Sequence, residues 1–432
     1  MKKLSALDVH KLLPHKNCGK CGCKTCMEFA VALLERKKKV AECIHLTDKT
    51  KLEEILRSPV RGVEFGEQTL GDEQVMHRHE LRFFNPPLLV LEIKDEMKDD
   101  EIKKRVRTVI NQRVERMGKM SGWDGVAMRL NDEKRVGTVT KLCKDCENFV
   151  LFCKTGEIAQ KAMDSLKGKN LIVACDDYES VKKNGAVLLI TGKSMQELGE
   201  NVQKAGYDKI VLKPPESSLQ EGANNNVMAR LSAINNVEEL GWPIVNDATS
   251  AYDKAGGISA KILESVMAST FINRYSSVII LRNPETWGIL PVLALRDAVY
   301  SDPKEKSQVD AGVYEINKPG KDSPVLVTVN YSLTYHIVRN DLEKAKISCW
   351  LVVVDTGGYA VDSGIAAGNF DGERVKKALE GMEKKVKNKV LLIPQLASKI
   401  SGDIEDSTGW KVVVGTRDSS QIADFLKKQK LR

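Results

Sequence analysis

The chain has 432 residues, of which 42% are hydrophobic and 29% charged, with a formal net charge of +8. That is the composition of an ordinary water-soluble globular protein of about three domains, and the mild, dispersed positive charge does not call for nucleic acid; "ERKKKV" (35–40) and the tail "LKKQKLR" read as solvated faces. No apolar run approaches the roughly 20 residues that cross a bilayer, and "MKKLSALDVHKLLPHKNC" has no signal-peptide core, so a cytoplasmic protein without membrane contact is expected.

Residues 1–60 read as a small cysteine domain. "NCGKCGCKTCMEF" (17–29) holds four of the ten cysteines, and Cys43 follows one helix-length later. Disulfides are rare in the cytoplasm, so clustered thiols there point to metal. Cys18, Cys21, Cys26 and Cys43 have the spacing C-x2-C-x4-C-x16-C. A Gly-bearing loop with its fourth thiolate supplied from farther along the chain suits a [4Fe–4S] cluster. Gly19 and Gly22 allow the backbone to fold back so that the thiolates converge. "CMEFAVALLERKKKVAEC" (26–43) predicts a helix that returns Cys43 to the loop. Cys23 is left over as a non-ligand. Structural zinc is the competing reading, although zinc sites more often use two close ligand pairs.

Residues 61–85 read as a connector. From 86 to 302 short apolar runs, including "PLLVLEI" (87–93), "NLIVAC" (170–175), "AVLLIT" (186–191), "KIVLK" (209–213), "PIVN" (243–246) and "SVIILR" (277–282), alternate with helix-like segments such as 100–118. This alternation predicts a parallel sheet, and its length suits a TIM-like (β/α)8 barrel. Cys143, Cys146 and Cys153 (C-x2-C-x6-C), with Cys175 beyond, suit zinc, another cluster, or plain barrel thiols. Polar, Pro- and Gly-bearing 303–323 reads as a linker. Residues 324–432 hold four more apolar runs, at 324–330, 350–355, 389–394 and 410–415, separated by helix-like stretches. They predict a doubly wound α/β domain whose strand-end loops form the default ligand site.

The segments together carry a resemblance. The cysteine loop, "RHELRFFNPP" (78–87), "TVNYSLTYH" (328–336), "VVVDTGGYAVDSGIAAGNF" (352–370) and "SGDIEDSTGWKVVVGTRDSS" (401–420) resemble, in order and spacing, the large (gamma) subunit of the corrinoid iron–sulfur protein of acetyl-CoA decarbonylase/synthase complexes. The resemblance implies a C-terminal corrinoid-binding domain. Cobalt of the corrinoid (B12-type) would accept a methyl group from a methylated tetrahydropterin through a methyltransferase. It would deliver that group to acetyl-CoA synthase in the reductive acetyl-CoA (Wood–Ljungdahl) pathway. The [4Fe–4S] cluster would return Co(II) to Co(I). The implied partners are the small (delta) subunit as a heterodimer, a methyltetrahydrofolate or methyltetrahydropterin methyltransferase, and acetyl-CoA synthase. No catalytic side chain is implied, because the chemistry belongs to cobalt.

Carried over residue by residue, Thr328 and Thr334 would hydrogen-bond corrin amide arms. Gly358, Tyr359, Ala360 and Val361 would face the corrin with backbone groups, and Ser419 stands where the family has a small residue. The domain lacks the D-x-H-x-x-G motif and has one histidine, His336, so a base-off cobalt without protein imidazole is implied. Asp362, Ser363 and "TRDSS" (416–420) depart from the family pattern. Two other readings stand beside this one: an iron–sulfur electron-transfer subunit without corrinoid, and a pterin-binding barrel methyltransferase hinted at by acids such as Asp247.

Overall fold

A computed structural model of the chain describes residues 5–56, 60–73, 76–77, 83–116, 119–235, 237–301 and 306–429. Residues 78–82 of the "RHELRFFNPP" segment lie outside the described residues. The chain divides into two bodies, one of residues 1–114 and 121–302 and the other of 115–120 and 303–432.

The first body opens with three short helices, α1 (Ala6–His10), α2 (Cys26–Leu34) and α3 (Thr50–Leu56). Their apolar faces meet in a small core of Val9, Leu13, Phe29, Ala30, Leu33, Val40 and Leu52. Helix α2 is shorter than the run 26–43 predicts. Arg36 takes a left-handed φ of +54°, and the amides of Lys37 and Lys38 turn back to the Ala32 carbonyl. The consecutive lysines then remain at the surface instead of one turn sinking into the core. A hairpin of β1 (Gly62–Phe65) and β2 (Gln68–Gly71) follows, so the segment read as a connector carries structure of its own. Arg36 pairs with Asp72 of this segment at 2.5 Å and lies over the Phe84 ring at 4.5 Å, tying the cysteine domain to the barrel's entrance.

The barrel elements run β3 (Leu88–Lys94), α4 (Asp99–Asn111), a hairpin β4 (Arg113–Arg116) and β5 (Lys119–Gly122), β6 (Gly125–Leu130), α5 (Glu133–Leu142), β7 (Asn148–Cys153), α6 (Gly156–Ser165), β8 (Asn170–Ala174), α7 (Tyr178–Asn184), β9 (Val187–Thr191), α8 (Met195–Ala205), β10 (Ile210–Lys213), α9 (Leu219–Ile234), β11 (Ile244–Asp247), α10 (Gly257–Ile272), β12 (Ser276–Leu281) and α11 (Thr286–Val299). Strands β3 and β6–β12 close into an eight-stranded parallel barrel, with β12 pairing back onto β3. Strands in such a barrel are covered on both faces, which explains their unbroken apolar runs. Thr155, Ser194 and Ser218 cap α6, α8 and α9 by accepting the N3 backbone amide, and each sets the angle at which chain leaves a strand. The segment 100–118 is not one helix: α4 stops at Asn111, and alternating "RVER" starts the β4–β5 hairpin.

The second body contains β13 (Gly312–Ile316), β14 (Val325–Val329), α12 (Ser332–Lys344), β15 (Cys349–Val354), α13 (Val361–Ala366), α14 (Gly372–Ala378), β16 (Val390–Ile393), α15 (Ser401–Thr408), β17 (Lys411–Val414) and α16 (Ile422–Lys428). The sheet order is β13-β15-β14-β16-β17; β14–β17 are mutually parallel where paired, and β13 lies antiparallel on β15. The 303–323 stretch is therefore more than a linker: it supplies this edge strand. Separate apolar cores cover the two faces, one built with α13–α15 and the other with α12 and α16, as a doubly wound sheet requires. Among the described residues, no helix is long and apolar enough to cross a membrane.

Candidate functional site

Two sites emerge, one in each body. In the first, Cys18, Cys21, Cys26 and Cys43 line one pocket with Asn17, Gly19 and Phe29, and Cys23, left over in the sequence reading, lines it too. Gly19 and Gly22 both sit at left-handed φ, +72° and +81°, and the Gly22 amide donates to the Gly19 carbonyl at 2.9 Å. This reversal swings Cys18 and Cys21 towards Cys26. The Cys26 amide donates to Asn17 Oδ1 at 2.7 Å, which fastens the two ends of the loop together. Thr25 caps α2 through the Glu28 amide, so Cys26 stands in the first turn of the helix, at its positive end. Cys43 ends a 3-10 turn at Val40–Glu42 and is buried against the same core. All ten cysteines are free thiols. Among the described residues no three ligating side chains converge on a single-ion site; five cysteines stand around one pocket instead. Cys23 is buried, and burial together with neighbouring Cys21 pushes its thiol up.

The second cysteine set does not form one centre. Cys143 ends α5 and Cys146 lies in the turn before β7, whereas Cys153 is the last residue of β7 and Cys175 follows β8. A six-residue strand, roughly 20 Å long, separates the two pairs. Cys143 and Cys146 are core thiols; burial drives Cys143 far up and Cys146 to about 11, and burial pushes Cys153 to about 12.

The carboxyl-end mouth of the barrel is filled by ion pairs. Glu92, fully buried, bridges Arg129 Nε and Arg282 Nε at 2.6 Å each. Arg129 also pairs with Asp247 and lies over Phe152 at 4.8 Å. Burial works to raise the Asp247 carboxyl, but Arg129 and Lys213 hold it below its usual range. Asp247 is thus engaged by protein cations and by the Thr249 hydroxyl at 2.7 Å.

In the second body, β14 is the first strand of the parallel set; the chain continues to β15 on one side and returns to β16 on the other. The loops after β14 and β16 diverge, opening a cleft at the switch point. It has an open volume of about 780 Å³ and a largely apolar lining. Thr328, Thr334, Val361 and Ser419, singled out in the sequence by resemblance, all line it. The Thr328 hydroxyl is buried and has no hydrogen-bond partner. The Ser419 hydroxyl is held by the Asp341 carboxylate.

Gly358, Tyr359 and Ala360 are not among the lining residues. Their loop is tied down by buried Asn330, whose Oδ1 accepts from the Thr356 amide (3.0 Å), the Thr356 hydroxyl (2.9 Å) and the Gly358 amide (3.1 Å). The Tyr359 carbonyl accepts from the Thr356 hydroxyl at 2.8 Å. Gly358, at φ +72°, lies so close to Lys306 that an added Cβ would sit 2.7 Å from its Cβ. Ala360 precedes α13, and only Val361 reaches the cleft. Asp362 and Ser363 are exposed in the first turn of α13, which removes their departure from the family pattern from the cleft itself. Sequence reasoning passed over Ile337, Leu396 and Arg417, which also line the cleft. Leu396 and Ile337 are half-exposed apolar residues on otherwise polar surfaces, a signal visible only once the fold places them. His336 is not a lining residue; its ring packs edge-on against Tyr335 at 5.0 Å.

A thiol-lined cavity, a closed parallel barrel and a doubly wound domain with a switch-point cleft define a modular metalloprotein. A family model described as CO dehydrogenase/acetyl-CoA synthase delta subunit matches residues 60–426, and one for an Fe–S cluster matches residues 13–45. The acetyl-CoA decarbonylase/synthase complex subunit gamma of Methanopyrus kandleri is 37% identical, over 100% of this chain and 99% of that one. The subunit of the same name from Methanocaldococcus jannaschii is 36% identical over 99% and 96%. Among solved structures, dihydropteroate synthase from Thermus thermophilus overlaps 56% of this chain and 100% of its own at 11% identity, with a TM-score of 0.39. The chain belongs to the acetyl-CoA decarbonylase/synthase gamma-subunit family, and its cysteine domain is an iron–sulfur domain.

Proposed function

We propose that the chain is the large subunit of a corrinoid iron–sulfur protein, a methyl carrier that pairs with the small (delta) subunit and works between a methyltetrahydropterin methyltransferase and acetyl-CoA synthase. The observation that carries the reading is the C-terminal cleft: an apolar slot at a sheet switch point with the buried, unpartnered Thr328 hydroxyl on its wall. A buried hydroxyl without a partner costs about 1–3 kcal/mol, so its retention fits a ligand that supplies the missing acceptor or donor. The amide arms of a corrinoid offer both.

Thr328 and Thr334 would hold such arms, while Leu396, Ile337 and Val361 exclude water from the bound face. None of the lining residues is histidine, which suits a corrinoid bound base-off. Cys18, Cys21, Cys26 and Cys43 would hold the [4Fe–4S] cluster in the N-terminal cavity. When bound, the corrinoid supplies a cobalt nucleophile for the methyl group and the cluster supplies a one-electron reductant. Asn330 fixes the loop beside the cleft, and Asp341 fixes Ser419 on its rim.

The test is metal analysis with visible spectroscopy of protein purified anaerobically together with its small subunit. Cobalt near one per chain with about four iron is the expected result. Iron without cobalt would overturn the reading in favour of an electron-transfer subunit.

A further inference from the structure

Three consecutive lysines, Lys37, Lys38 and Lys39, follow helix α2, and they do not share one environment. Lys37 and Lys39 are exposed, whereas Lys38 is half-buried. The cause is the chain reversal that ends the helix. Arg36 takes its left-handed φ, and the Lys37 and Lys38 amides return to the Ala32 carbonyl at 2.9 and 3.3 Å. This turn carries the Lys38 side chain back over the cysteine loop. Its Nζ lies 3.3 Å, and its Cε 3.8 Å, from the point where a Cβ on Gly22 would stand. Gly22 separates Cys21 from Cys23, and both of those cysteines line the thiol pocket. Without a side chain at position 22 the ammonium settles against the loop itself.

The ammonium is held from the other side by Glu42, which accepts from Lys38 Nζ at 2.8 Å and from the Lys39 amide at 2.8 Å. Glu42 immediately precedes Cys43. The pair therefore reaches from the Gly22 turn to Cys43, and the Lys38 charge acts on Cys21 and Cys23. As a contribution to folding, an ion pair this open to solvent is worth little. Its significance lies in where it places a cation. A [4Fe–4S] centre held by four thiolates is anionic, and reduction adds one more negative charge. Net charge, hydrogen bonds at the sulfurs and exposure set the potential of such a centre. Lys16, Lys20 and Lys24 of the same loop are exposed, so water and salt screen them. A half-buried ammonium fixed by a carboxylate is screened less, since an effective dielectric of about 20 rather than about 80 applies there.

We propose that Lys38, held by Glu42 against the Gly22 turn, is a positioning residue for the iron–sulfur centre, and that its positive charge favours the reduced state and raises the reduction potential. This rests on the assignment of Cys18, Cys21, Cys26 and Cys43 as the cluster ligands. Lys38 binds no iron and carries no electron; it acts through the field at the thiolates. Glu42 works in the opposite sense, because its carboxylate offsets part of that field.

The experiment is an EPR-monitored redox titration of the full chain, purified anaerobically with its cluster. Wild type, Lys38→Met, Lys38→Arg, Glu42→Gln and the control Lys39→Met are compared. Iron content and the visible spectrum of each variant verify that the cluster is in place. At the wild-type midpoint, Lys38→Met should hold about 10-fold more oxidised than reduced cluster, a shift of about 59 mV to lower potential for a one-electron couple. Lys38→Arg keeps the charge and should stay within about 2-fold of wild type. Glu42→Gln should move the midpoint the other way, with about 3-fold more reduced than oxidised cluster at the same potential. Lys39→Met removes the same charge from a solvated position and should change the ratio less than about 2-fold. A Lys38→Met protein with full iron and the wild-type midpoint would overturn the proposal, as would equal shifts in Lys38→Met and Lys39→Met. Where Lys38→Met does not retain iron, a Glu42→Gln midpoint above wild type upholds the proposal and one at or below wild type overturns it. Wild type without iron would overturn the ligand assignment, and the proposal with it.

Discussion

Replacing Thr328 by Val exchanges a hydroxyl for a methyl at nearly constant volume. Thr328 lies on β14 in register with Val353, is 1% exposed, and its Oγ1 has no partner. In the cofactor-free protein the exchange removes an unmet desolvation cost of about 1–3 kcal/mol. For a domain of this size each kcal/mol raises the melting temperature by about 4 °C, so calorimetry of the free protein should show the second body melting roughly 4–12 °C higher. The same quantity returns with opposite sign on binding. In the wild type the hydroxyl is already stripped of water, so a corrin amide that meets it gains nearly the full value of the bond. The Val variant gains nothing there, and its corrinoid affinity should fall about 5- to 150-fold. Thr328→Ser keeps the hydroxyl and should keep most of the affinity at lower stability. A Val variant that melts lower than wild type when cofactor-free would refute the argument that the hydroxyl is held in reserve. So would one that binds corrinoid as tightly as wild type.

Cys26→Ser should lose most of its iron while retaining cobalt, because ligands and cleft lie in different bodies; elemental analysis of the purified variant decides this, and joint loss of both metals would break the modular reading. Cys143→Ala should lower stability by about 1–2 kcal/mol, through a small core cavity, and leave metal content unchanged. Glu73 accepts the Phe84 and Asn85 amides at 2.9 and 3.0 Å, and burial pushes its carboxyl up to about 7. The folded state then holds a proton that the unfolded chain, with a carboxyl near about 4.3, releases. Stability is therefore full below about pH 4.3 and declines as pH rises towards 7. Glu73→Gln should reduce that slope in melts between about pH 4.5 and 7.5, with Glu264, also raised to about 7 by burial, and Glu216 and Asp72, raised by burial as well, contributing the rest; an unchanged slope would count against Glu73 as a source.

Much of this protein was written in local pattern. The six barrel strands read from apolar runs, and the inner parallel strands β14, β15 and β16 of the second sheet, show themselves because burial on both faces demands apolar residues at nearly every position. The cysteine spacing and the two left-handed glycines were legible for a similar reason, since ligand type and backbone freedom are properties of single residues. Strands β6 and β7 escaped notice: Arg129 interrupts the run of β6, and only the closed barrel shows that Glu92 and Asp247 neutralise that arginine, whereas β7 carries the same apolar signal as the strands that were read. Strand β13 escaped because an edge strand is half exposed, so its sequence resembles the polar stretch around it. The separation of Cys143 and Cys146 from Cys153 and Cys175 was likewise hidden, because chain spacing does not say that a strand stands between the pairs. The cleft is the clearest division. Sequence marked Thr328, Thr334, Val361 and Ser419 on three segments, but their meeting in one slot depends on β16 returning beside β14. The exclusion of Gly358 to Ala360 depends on Asn330 fastening their loop. Residue chemistry is carried by the chain one position at a time, whereas a binding surface is a relation between strands distant in sequence, and only packing supplies it.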